Sequence, residues 1–242
     1  MAEAAGQLTA RARIVAERAV GTTRTRLPVL RSAVPLVLRR TADAVYLVGG
    51  AAGPLGGDDL ELSVEVREGG TLRLRTSAAS VALPGRPGAE SVFRLTATVG
   101  EHARLEYLPE PLVVAEGARH RVEISVALAG TASLLLRDEL ILGRHGERGG
   151  SCVSRLRIDR ADRPLLRHEI AASGGDPVSL GPAVLAGHRM TGSLIIVGAG
   201  APPGWCGEGV AVLPIADDAV LVTALAHDAH TLRGRLFSTH PH

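Results

Sequence analysis

The sequence predicts a mostly β chain: an elongated stack of hairpin layers, with one or two short helices in the C-terminal third. Three observations predict it. Apolar and polar residues alternate in several segments, most clearly Leu60, Leu62, Val64 and Val66 against Asp59, Glu61, Ser63, Glu65 and Arg67. A period of two puts one apolar and one charged face on a strand. Turn signals return roughly every thirty residues, near 40, at Gly70, Gly100 and Gly130, and near 160. Helix-period patterns are scarce. One hairpin per unit suggests layers that share a continuous core, although a sandwich with evenly spaced hairpins carries the same signature.

Taken in order, residues 1–12 read as a frayed lead-in and 13–20 as a first strand ended by Gly21. Pro28 and Pro35 argue for edge strands or extended segments over 23–40. Leu36, Val37 and Leu38 then meet Val45, Tyr46 and Leu47 across a turn. Gly69 and Gly70 join the 60–66 strand to a second alternation, Leu72, Leu74 and Thr76, as a hairpin with a charged outer face. Like pairs follow at 92–99 and 103–107, at 122–128 and 132–136, and around the DRADRP turn after Ile158. Residues 182–186 could make one or two helical turns, 200–209 read as a loop, and 210–213 and 220–225 as strands. Asp228 is placed to cap a helix through Leu236, ahead of a mobile STHPH tail. No linker divides the 242 residues, so a single domain is expected.

Composition excludes several function classes. All basic side chains apart from histidine are arginine, which rules out a lysine-dependent phosphate loop or Schiff base. Five aromatic residues leave few stacking platforms, and a net charge of +2 does not call for a nucleic acid or other polyanion. The arginine clusters at 11–26 and 154–167 read as solvated strand faces. Cys152 and Cys206 make no disulfide framework, and neither a signal-peptide h-region nor a membrane-length apolar run stands out. A cytoplasmic protein with reduced thiols is expected.

No catalytic constellation emerges: there is no G-x-S-x-G and no H-E-x-x-H. The glycine-rich 49–57 stretch precedes a strand, so it lacks the helix N-terminus that a phosphate loop needs. Nine histidines are scattered; His227 and His230 could share a helix face, and His240 and His242 could chelate weakly. Two polar pairs interrupt apolar strands. In LLRHEI one of His168 and Glu169 must face inward, and Asp138 and Glu139 pose the same problem in LLLRDELIL. A buried charge needs a partner or a wet cavity.

Several stretches carry a family likeness. GGAAGPLGGDDLELSVEV followed by RTSAA, with Gly56, Gly57 and Asp58 at its turn, resembles the urease accessory protein UreD (UreH) family. So does LEYLPEP, with Leu105, Glu106, Leu108 and Pro109, continuing to residue 136. Leu142, Gly143 and Arg144 with Gly146 and Glu147 are similar to the family's L-G-R-x-x-x-G-E element, and 186–198 and 210–225 fit its later strands. The likeness runs from about 12 to 236. Departures are Ser77 for the second threonine of T-T-x-A-A, Ser80 to Leu83 for a K-V-Y-R-like run, Tyr107 for tryptophan, and Arg137 at an often aromatic position.

The resemblance implies a β-helix-like body and a non-enzymatic scaffold for urease maturation. Such a scaffold binds UreF, recruits the GTPase UreG through it, and docks on apo-urease. It further implies a tunnel in which Ni²⁺ is held loosely in transit, with no tightly bound cofactor. Asp58, Glu106, Asp138, Glu139, His168 and Glu169 are the residues expected along that path, with Asp58 also placed to hold the Gly56-Gly57 turn. The competing expectation is a small-molecule-binding β-sandwich or barrel with one enclosed apolar pocket.

Overall fold

The structure, a computed structural model, describes residues 7–22 and 24–237. β1 (Thr9–Arg18) and β2 (Thr25–Arg31) pair antiparallel at one rim of a first sheet, and β3 (Leu36–Arg40) and β4 (Val45–Gly49) do the same at the rim of a second. From there the chain winds. β5 (Asp59–Val66) joins the first sheet, β6 (Thr71–Thr76) and β7 (Ser80–Ala82) the second. β8 (Ser91–Val99), β9 (Arg104–Leu108) and β10 (Leu112–Val114) repeat that course, and β11 (Arg119–Leu128) and β12 (Ser133–Leu142) repeat it again. β13 (Ser151–Arg160) starts another coil, which β14 (Arg163–Ser173) ends by folding back antiparallel. After α1 (Pro177–Leu180), the second sheet is extended antiparallel by β15 (Met190–Val197), β16 (Trp205–Gly207), β17 (Val210–Ala216) and β18 (Ala219–Ala226), and α2 (Ala229–Phe237) follows.

The stack expected from the thirty-residue period is present as a β-solenoid of about four turns. Its core is built from ladders of equivalent side chains in parallel register. Leu62, Leu95, Ile124 and Leu156 form one, and Leu72, Leu105 and Leu134 face them from the second sheet. All seven are buried. Each layer buries its neighbour's apolar face, which no single layer can do for itself.

The pairing inside each layer differs from the hairpins expected. β5 pairs in parallel with β1 and β8, and β6 with β4 and β9, but β5 and β6 do not pair with each other. Alternation reports which face is buried, not which strand lies alongside. The turns explain the choice, because their N–H groups find acceptors one coil away: Arg67 donates to Ala16, Gly100 to Val66, Ala129 to Val99 and Ala161 to Leu128. The chain therefore arches from one sheet to the other. True hairpins remain at the rims, β1 with β2, β3 with β4 and β13 with β14.

Other boundaries shift for local reasons. Residues 9–12 belong to β1, with Ala10 and Ala12 buried, whereas 1–6 and the STHPH tail lie outside the described residues. The helical turn expected at 182–186 lies earlier, because Asp176 caps Val178 and Ser179 at 3.0 and 3.1 Å and Pro177 opens the helix. Trp205–Gly207 adds a short strand inside the expected 200–209 loop. The edge positions of β2 and β3, and the Asp228 cap of α2, agree with expectation: Asp228 Oδ1 accepts from Thr231 N at 2.8 Å. Within the glycine-rich stretch, Gly56 packs backbone to backbone against Gly85, where a Cβ on Gly56 would lie 2.6 Å from the Gly85 nitrogen. Among the described residues no helix is long and apolar enough to cross a membrane.

Candidate functional site

The second sheet has a break. β6 ends at Thr76 and β7 begins at Ser80, while β9 ends at Leu108 and β10 begins at Leu112. β12 runs past both. It pairs with β9 through residues 133–136 and with β10 through residues 140–142, so Arg137, Asp138 and Glu139 have no ladder partner on that side. Pro109 and Pro111 cause the interruption, because a proline cannot donate to the ladder.

A cavity of about 490 Å³ lies at this break. Inside, it is bounded by Leu60, Phe93 and Val122 of the first sheet and by Tyr107 and Asp138 of the second. Ser77, Pro109, Glu110 and Glu139 also line it, so the space reaches from between the sheets through the break towards the outer face. Alternation along β12 then decides what each acid meets.

Asp138 points inward. Ser154 Oγ donates to its Oδ2 at 2.6 Å, and His168, held by Ser193 Oγ at 3.1 Å from Nε2, is near enough to act on it electrostatically. Burial raises the Asp138 pKa above its ordinary value, against the opposing pull of Ser154 and His168. Asp138 is half-buried and lines the cavity. Burial likewise lowers the His168 pKa, with Asp138 opposing. A second inward histidine, His120, accepts or donates at Nδ1 with Ser91 Oγ at 2.8 Å, and burial pushes its pKa down to about 4.

Glu139 points outward, yet its side chain is only 1% exposed because charges cover it. Arg233 of α2 places Nη2 2.8 Å from Glu139 Oε2 and 3.1 Å from Glu110 Oε2. Arg137 Nε lies 3.2 Å from Glu139 Oε2 without completing a hydrogen bond, and its Nη2 donates to the Pro109 carbonyl at 2.6 Å. The Phe237 ring stands 6.0 Å from the Arg137 guanidinium carbon.

The break thus gathers Asp138 and Glu139, with His168 behind the first. The other expected path residues lie elsewhere. Asp58 accepts from the Leu8 and Leu55 N–H groups at 3.0 and 2.8 Å, an oxygen for each, and holds the turn. Glu106 is on the outer face within 2.9 to 3.4 Å of Arg104, Arg75 and Arg73; burial works to raise its pKa, and the Arg75 and Arg104 hydrogen bonds outweigh it. Glu169 is exposed and paired with Arg155, so His168 is the inward member of its pair. Leu105 is core, Leu108 half-buried, and Gly143 takes φ +78° before the Arg144–Glu147 ion pair at 2.5 Å. His227 stacks on His188, ring centroids 4.2 Å apart, rather than sharing a helix face with His230; His240 and His242 lie outside the described residues. Among the described residues no three His, Cys, Asp or Glu side chains converge on one metal-ion position.

Glu110, His120 and Arg233 are site residues that sequence reasoning missed. The Pro-Glu-Pro spacing at 109–111 was the available signal for Glu110; nothing local marks Arg233.

The family model described as UreD urease accessory protein matches residues 8–240. The chain belongs to the UreD family of urease accessory proteins. Relatives agree along most of its length. The UreD of Parafrankia sp. is 45% identical, covering 88% of this chain and 82% of its own. UreD 3 of Streptomyces griseus is 47% identical over 88% of each, and the UreD of Streptomyces coelicolor 44% identical over 96% of each. The UreD body here is therefore a solenoid whose second sheet is interrupted beside two consecutive acids.

Proposed function

We propose that this UreD chain serves urease maturation as a non-catalytic cytoplasmic adaptor that conducts Ni²⁺ towards the urease active site. In this reading it binds UreF, meets the GTPase UreG through it, and docks with them on apo-urease. The cavity at the sheet break carries the proposal. It offers oxygen ligands at two depths, Asp138 between the sheets and Glu110 and Glu139 at the break. A cation in transit has to be held by few ligands and retained water, since a closed cage would trap it. Imidazole and carboxylate both suit nickel, and His168 stands behind Asp138.

The test is urease activation in cells lacking this gene and complemented with the wild type or Asp138→Ala. The variant is expected to lose about tenfold in activation at limiting nickel, the effect of one lost charged ligand, and to recover in part with excess nickel. A folded Asp138→Ala protein that activates urease fully would overturn the conduit. Co-purification with UreF at a fixed ratio tests the adaptor role, and lack of any affinity would overturn it.

A small-molecule pocket is the second reading, favoured by the apolar share of the lining, including Leu60, Phe93 and Val122, and by a volume typical of ligand sites. Nickel-independent activation with a ligand retained through purification would support it.

A further inference from the structure

Glu110 and Glu139 face the cavity, and the group that bridges them is already a cation. Arg233 reaches both carboxylates with one guanidinium nitrogen. Its own side chain is 35% exposed, so it can leave for solvent by rotamer change while α2 keeps its place. Leu232 and Leu236, both fully buried, hold the helix on the sheet, and Arg235 donates to the Leu225 carbonyl at 2.5 Å. Departure of the guanidinium does not strand Glu139. The buried Arg137, 6% exposed at its side chain, aims at that carboxylate an Nε that has no hydrogen-bond partner among the described residues. The local charge then goes from neutral to negative: two carboxylates against two guanidiniums balance, and without Arg233 one negative charge remains.

We propose that Arg233 is the gate of the conduit: its guanidinium occupies the place a divalent cation takes between Glu110 and Glu139, and the cation enters only when Arg233 swings out. This rests on the conduit reading given above, whose own test, Asp138→Ala, touches none of these four residues. The gate makes Ni²⁺ and Arg233 competitors for the same oxygens. Neutralising Arg233 therefore strengthens nickel binding even though it removes part of the protein's own packing.

The experiment is titration of Ni²⁺ alone into the full chain, as wild type, Arg233→Met, Arg233→Lys, and Arg233→Met combined with Glu110→Gln and Glu139→Gln. Arg233→Met is expected to bind nickel about tenfold more tightly than wild type, as removal of one close positive charge at a partly buried site implies. Arg233→Lys keeps the charge but not the two-way reach, so a smaller gain in the same direction is expected; it carries the test should the methionine variant fail to fold. The triple variant should lose the gain. Unchanged affinity in both single variants, or a gain that survives loss of both carboxylates, would overturn the gate. If Asp138→Ala activates urease fully while Arg233→Met still gains nickel affinity, the conduit falls and the guarded dicarboxylate stands.

Discussion

Asp138 and Glu139 are consecutive in β12 and live in opposite electrostatic surroundings. Asp138 meets a hydroxyl and a half-buried imidazole inside the stack, and Glu139 is gripped by two guanidinium groups on the outer side. The two acids therefore answer differently to mutation.

For Asp138, burial raises the folded pKa above the ordinary 3.8. The stability it contributes is full below 3.8 and is lost as pH rises through the folded value, because the interior resists ionisation. Urea denaturation of wild type and Asp138→Asn across pH 3 to 8 checks this, as asparagine cannot titrate. Wild-type stability minus that of the variant should fall as pH rises above about 4 and then level off; a constant difference would contradict it.

His120 runs the other way. Its folded pKa is about 4 against an ordinary 6.5, so its contribution is full above 6.5 and is lost as pH falls towards 4. The imidazole signals of His120 should stay those of the neutral ring down to about pH 5. His120→Asn should remove this part of the acid sensitivity.

Breaking the covered ion-pair group is expected to cost more than breaking an exposed pair. Arg137→Met leaves Glu139 with Arg233 alone and should destabilise by ~3–5 kcal/mol, the range for losing one partner of a buried pair. Arg155→Ala, which removes the exposed partner of Glu169, should cost under ~1 kcal/mol. Chemical denaturation of both variants measures the contrast.

Leu95 sits fully buried between Leu62 and Ile124 in neighbouring coils. Leu95→Ala should cost ~2–5 kcal/mol through a cavity that the stacked strands cannot close. The same substitution at exposed Leu213 should leave the unfolding midpoint nearly unchanged.

Much of this was legible beforehand, for reasons that particular residues make clear. Leu60 to Val66 announce a half-buried strand whatever its neighbours are, and Pro28 marks an edge in any sheet. The parallel pairing of β5 with β8 was not legible, because alternation is silent about partners and the deciding hydrogen bonds join turns one coil apart. The acids that interrupt the apolar run of β12 do line the cavity at the break. Glu106 and Glu169 lie away from the break, and strand position alone does not reveal the arginines paired with them. Arg233 lies 94 residues from Glu139 in sequence, and only the docking of α2 brings the two together.

At the rims of the first sheet, β2 and β14 run against the direction of the winding. Each rim thus closes the parallel winding with a reversed strand, and Pro28 and Pro164 have no N–H to donate to a further strand. A strand arriving at either rim therefore meets fewer donors than the coils offer one another, which blunts edge-to-edge pairing there.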